Sequence, residues 1–122
     1  MKTLVIVTTT FDGTHCWPDA PDPVAFLRNI HRHQFQVRVA VHEDHNFTVD
    51  TRETEFFLLQ ALVRGFLPRL GVVQPLTGIV AMGCMSCEMM AKHIMDYLSN
   101  KGYVVGYVEV FEDGENGARV EP

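Results

Sequence analysis

Long apolar runs are missing from this 122-residue sequence. The apolar stretches are short and broken by Arg, Gln or Gly, too short for a transmembrane helix of about 20 residues. Leu4–Val7 is too brief for the core of a signal peptide, and polar threonines follow at once. Clustered Lys or Arg is missing too, and the net charge is −5. No basic footprint for nucleic acid or for an anionic membrane surface is present. Cysteine is scarce, with three residues, an odd number that does not make a disulfide framework. A reducing cytoplasm is the expected compartment. Internal repeats, linkers and low-complexity segments are absent, so residues 1–122 are expected to form one domain.

What remains is 47% apolar and 20% charged, a composition that can bury a core. Leu4–Thr10 is apolar and β-branched and reads as a strand continuing toward His15. The proline- and aspartate-rich Cys16–Asn29 reads as a loop with one helical turn. In Gln34–Val41, Phe35, Val37, Val39 and Val41 alternate with Gln36, Arg38 and Ala40, which predicts a strand with one wet face. His31 and His33 fall on the side of Phe35. Thr54–Leu70 has a helical stripe at positions 56, 59, 62, 63, 66 and 67. Gly71–Gly83 reads as a structured loop. Ser86–Asn100 predicts a second helix, with Ser86 as N-cap, Glu88 in the first turn and Gly102 as its stop. Its stripe is Met90, Ile94, Tyr97 and Leu98. Tyr103–Glu112 reads as a strand with Val104, Val108, Val110 and Glu112 on one face. A turn over Asp113–Gly117 and a last strand at Ala118–Val120 follow. The order β-β-α-α-β-β predicts an α+β domain on an antiparallel sheet.

Several residues carry potential chemistry. His31 and His33, two apart on a strand, stand about 6–7 Å apart at the backbone, near enough to share a metal ion. Most His-x-His pairs on strands bind nothing, and a third ligand changes that. His15 approaches them if the first two strands pair. Three neutral imidazoles with no fourth protein ligand make an open zinc site. Cys84-Met85-Ser86-Cys87 has CxxC spacing at the mouth of a helix, where a thiolate is favoured, but neither a βαβ context nor a second cysteine pair accompanies it. Glu112 ends an apolar stripe, as a solvated strand end or as a carboxylate anchoring an amino-heterocycle. His42, His45 and His93 lie among polar neighbours and read as surface residues.

In order along the chain, these landmarks resemble the 6-pyruvoyl-tetrahydropterin synthases and their bacterial relatives, the 6-carboxytetrahydropterin synthases. Phe11 is followed four residues later by His15. His31-Arg32-His33-Gln34-Phe35 matches the family's His-Gly-His-aromatic motif, with Arg for Gly. Glu55-Phe56 opens the first helix, Ser86-Cys87-Glu88 starts the second ahead of Ala91, and Phe111-Glu112 ends the last long strand. The resemblance implies the tunnelling fold, with two helices on one face of the sheet. It also implies zinc held by His15, His31 and His33, and a pterin or purine-like ring anchored by Glu112 with Ser86, Cys87 and Glu88. Relatives join their sheets into a barrel, which implies a homo-oligomer, a hexamer.

The activity implied is that of a zinc-dependent lyase of the pterin or 7-deazapurine synthesis type. Two departures bear on it. Leu27 stands where the family carries its catalytic cysteine, and Gly71–Cys84 holds neither the Asp nor the His of the family's proton relay. Cys16 follows His15 directly, so strand alternation would turn it away from the metal. Cys87 and Glu88 are the candidates for catalytic proton transfer in place of the relay. The alternative is a non-catalytic protein that sequesters or senses such a ring; a purely structural zinc is the third reading.

Overall fold

The computed structural model describes residues 2–43 and 54–122. Strands β1 (Thr3–His15) and β2 (His31–Glu43) pair antiparallel along their whole length, from Thr3↔Glu43 to His15↔His31. A short 3-10 segment, Asp22–Arg28, lies between them and buries no residue of its own. Helix α1 (Phe56–Phe66) is followed by a 3-10 turn at Leu67–Leu70, then by β3 (Val72–Val73), β4 (Val80–Ala81), α2 (Cys87–Asn100), β5 (Val105–Glu112) and β6 (Asn116–Val120). The sheet order is β3-β4-β1-β2-β5-β6. Each neighbouring pair among β1, β2, β5 and β6 is antiparallel, and β4 runs parallel to β1.

One face of the sheet carries the core. Val5 and Val7 of β1, Phe35 to Val41 at odd positions of β2, and Val108 and Val110 of β5 meet Leu59 and Val63 of α1 and Met90, Ile94 and Leu98 of α2. The period-2 pattern of β2 therefore translates directly into burial. Helix α1 starts where Glu55 caps it by accepting the Leu58 N–H at 2.8 Å. Its stripe begins later than its periodicity predicts. Phe56 is 60% exposed, and the whole first turn, Phe56 to Leu58, lies outside the core. Pro68, which has no N–H to donate, sits in the 3-10 turn that ends the helix. Helix α2 is capped at both ends. Ser86 accepts the Met89 N–H, and at the C-terminus Tyr103 N–H reaches Leu98 O while Gly102 N–H reaches Ser99 O. That pair of bonds requires a left-handed residue, which Gly102 supplies at φ 96°. Tyr97 is half-buried and stacks on Phe66 at 4.3 Å, joining the two helices.

Three expectations are corrected here. Val104 does not share the buried face: it is 66% exposed and Val105 is buried instead. The register slips between Ala40 and Val41, so Gly106 is an extra residue in β5 and the alternation flips across this bulge. The segment read as a loop from Gly71 to Gly83 carries the β3–β4 ribbon, too short for a periodicity to show. At Gly71 a Cβ would stand 2.2 Å from Ala81 O, so no side chain fits between the segment and its partner strand. The last strand begins at Asn116, opposite Glu112, earlier than its apolar residues indicate. His42 and His93 are exposed, while His45 lies outside the described residues.

Candidate metal centre and adjoining pocket

The β1–β2 register sets His15 directly across from His31, and His33 follows two residues later on the same face. Their ring centroids are 4.6, 5.0 and 5.4 Å apart, and one ligand atom from each lies within 4.8 Å of the other two. Each imidazole is held from behind. His15 Nδ1 donates to Met85 O at 2.8 Å and His31 Nδ1 to Asn29 O at 2.8 Å. A carbonyl only accepts, so these two rings carry their protons on Nδ1 and lone pairs on Nε2. His33 Nδ1 lies 2.6 Å from the Asp113 carboxylate.

His33 Nε2 is buried and makes no hydrogen bond, although Glu112 Oε2 stands 3.4 Å away. A buried orphan nitrogen is costly unless something occupies it. Three inward Nε2 atoms, each ring oriented by an outer oxygen, fit a metal with imidazole preference. The three histidines could therefore hold a metal ion. Burial pushes the His15 pKa below its ordinary value, with His31 and His33 acting the same way, against the Met85 bond and Glu112. That direction favours the neutral imidazole that metal ligation requires.

Glu112 closes one side of this centre. Its Oε1 is 3.2 Å from His15 Nε2 and its Oε2 is 3.4 Å from His33 Nε2. The Cys87 thiol donates to the same Oε1 at 3.6 Å. Burial, then Glu112 and Glu88, push the Cys87 thiol up to about 12. The helix mouth does not make it a thiolate; Cys87 stays a proton-bearing thiol.

Beside the centre opens a pocket of about 560 Å³, lined by Glu112, Ser86, Cys87, Glu88, His15 and His31 among others. The Ser86 oxygen is engaged as the helix cap, which leaves its hydroxyl hydrogen available as a donor. Glu88 is exposed at the pocket's side. Leu27 also lines the pocket. So does Cys16, just past the end of β1, where its N–H bonds to Gly83 O at 2.9 Å.

Asp113 is the functional residue that sequence reasoning missed. It sits in a turn, where an Asp is ordinary, yet at φ 53° its carboxylate turns back to reach both His33 and the Gln34 N–H. The available signal was its place directly after Glu112, across the sheet from the strand bearing His33.

No protein-family model matches the chain, and no curated protein does. Solved structures do. An uncharacterized protein from Wolinella succinogenes matches with a TM-score of 0.71 at 17% identity, over 99% of this chain and 98% of the other. The Caenorhabditis elegans 6-pyruvoyl tetrahydropterin synthase matches at 0.62 and 13% identity, over 100% and 96%. A catalytic-residue mutant of the Plasmodium vivax 6-pyruvoyltetrahydropterin synthase matches at 0.64 and 18%, over 100% and 98%. The protein is thus an α+β domain of the tunnelling-fold class. Its particular fold is that of the 6-pyruvoyltetrahydropterin synthases, along the full length of the chain. Among the described residues no helix is long and apolar enough to cross a membrane.

Proposed function

We propose that this protein binds zinc through His15, His31 and His33 and takes a pterin or purine-like ring into the adjoining pocket, acting on it as a 6-pyruvoyl- or 6-carboxytetrahydropterin synthase-like lyase with altered proton transfer. The observation that carries this reading is the convergence of three oriented Nε2 atoms at a pocket also lined by Glu112. Zinc bound there would supply Lewis acidity to oxygen substituents on the ring's side chain.

The chain's own residues have distinct tasks. Glu112 accepts a pair of hydrogen bonds from the amino-heterocycle, with the Ser86 hydroxyl donating beside it. Cys87 holds a proton at Sγ, in contact with Glu112, and Glu88 stands at the pocket's side as the base. Leu27 in the pocket wall favours the second reading, a protein that sequesters or senses the ring without turnover, because no acid–base group stands at that position. We assign the protein to the cytoplasm, where its free thiols persist. The open sheet edges at β3 and β6 can be paired by another copy, and the resemblance to the synthases implies a homo-oligomer, a hexamer.

Elemental analysis for zinc, combined with calorimetry using a pterin on the wild type and Glu112→Gln, tests the reading. One zinc per chain is expected, with ring binding weakened about tenfold or more in the variant while zinc stays bound, since an amide accepts at one atom only. Full zinc content after replacing both His31 and His33 by Ala would refute the metal assignment.

A further inference from the structure

The Cys84-x-x-Cys87 spacing points to a dithiol, but the structure pairs these cysteines differently. Cys87 is buried and donates to Glu112. Cys84 is exposed in the loop before α2, directly after Gly83, whose carbonyl accepts the Cys16 N–H. The parallel register Gly13↔Val80 and Thr14↔Ala81 continues past both strands: Met82 N–H reaches Thr14 O and Cys16 N–H reaches Gly83 O, each at 2.9 Å. This lays Cys16 alongside Gly83-Cys84, with both cysteines in the pocket wall. Each is also one residue from the metal centre's scaffold. Cys16 follows His15, and Cys84 precedes Met85, whose carbonyl holds His15 Nδ1.

We propose that Cys16 and Cys84 form a redox-active dithiol that a low-molecular-weight disulfide closes into an intramolecular disulfide, loosening the metal held through His15. The exposed Cys84, as thiolate, attacks one sulfur of the small disulfide; a mixed disulfide forms and one small thiol leaves. Cys16 gives its proton to solvent and attacks the Cys84 sulfur, forming the protein S–S bond and expelling the second small thiol. Two protein thiols lose two electrons, and one small disulfide gains them as two thiols. Drawing the sulfurs together to about 2.05 Å pulls the Cys84–Met85 backbone toward the end of β1 and misaligns the bond that orients His15.

The test uses the full chain, reduced and zinc-loaded, then incubated with oxidised glutathione. The expected product has lost two hydrogens, carries no glutathione, and gives a non-reducing digest linking the Cys16 and Cys84 peptides. Cys16→Ser and Cys84→Ser are expected to keep glutathione on the remaining thiol and to give no such link. Zinc affinity, read by chelator competition, is expected to fall about tenfold on closure and to return with dithiothreitol. A Cys84–Cys87 link, or mixed disulfides alone in the wild type, overturns the dithiol. Unchanged zinc affinity in the cross-linked form overturns the coupling to His15. The peptide map needs no metal, so failure of zinc binding itself is distinguished from failure of the dithiol.

Discussion

The Asp113 carboxylate lies 2.6 Å from His33 Nδ1 and also accepts the Gln34 N–H at 2.9 Å. One side chain thus fixes a candidate ligand ring and the strand that carries it. Such outer carboxylates set the tautomer and raise the basicity of a ligating imidazole, and losing one typically costs about 10–100-fold in metal affinity. Asp113→Asn is expected to weaken zinc binding by that order in chelator competition. Asp113→Gly is expected to do the same while easing the left-handed backbone at φ 53°. Wild-type affinity in both variants would show that Asp113 serves only the turn.

Acid stability follows from the same bonds. Hydrogen bonding to His33, then to the Gln34 N–H, holds the Asp113 carboxyl below its ordinary value. A depressed carboxylate contributes stability that is present above its unfolded pKa of about 3.9 and lost as pH falls through the folded value. His15 acts higher on the scale. Its folded pKa lies below the ordinary 6.5, so the unfolded chain binds more protons in that interval. Its contribution is full above that value and is lost as pH falls toward the folded pKa. Urea midpoints of the metal-stripped protein are expected to fall as pH drops from 7 through about 6.5, and His15→Gln is expected to flatten that slope. An unchanged slope in the variant would assign the acid sensitivity to other groups.

At the alkaline end the relevant group is Cys87. With its thiol pushed up to about 12, a fraction of only about 10⁻⁴ is thiolate at pH 8. Alkylation with iodoacetamide followed by peptide mapping is expected to label Cys84 first and Cys87 last. Because the folded pKa is raised, the stability contribution is full below the unfolded value near 9 and is lost as pH rises toward 12. Cys87→Ser is expected to remove that alkaline loss. Labelling of Cys87 ahead of Cys84 would contradict its burial against Glu112.

Legibility in the sequence followed periodicity. The strand alternation of Phe35 to Val41 and the stripe Met90, Ile94 and Leu98 were readable because each repeats over several residues, and all of these are buried. So were His15, His31 and His33, because a strand pair fixes which residues face one another. The bulge at Gly106 was hidden, since one inserted residue leaves no composition signal yet moves Val104 out and Val105 in. The β3–β4 ribbon was hidden because two-residue strands have no period. The Asp113 bond to His33 and the placing of Cys16 beside Gly83-Cys84 were hidden because each joins segments about 70 to 80 residues apart in sequence, which only the register brings together.

The sharpest test of chemistry is Leu27→Cys. Leu27 lines the pocket from the 3-10 segment, and its carbonyl accepts the Trp17 N–H at 2.7 Å, so the backbone there is held independently of the side chain. The resemblance to the synthases assigns this position a cysteine, and a positioned acid–base group typically contributes about 10²–10⁴-fold in rate. The variant is expected to raise turnover of dihydroneopterin triphosphate at least tenfold, at the lower end of or below that range, because the Asp-His relay that would work with the thiol is also missing from Gly71–Cys84. Ring affinity by calorimetry is expected to stay unchanged, since the proposed reading assigns it to Glu112. If the wild type already turns over rapidly and Leu27→Cys adds nothing, proton transfer runs through Cys87 and Glu88 alone. Cys87→Ala and Glu88→Gln are then expected to abolish that turnover, which would place the working acid and base on the first turn of α2 and leave Leu27 as a wall of the pocket.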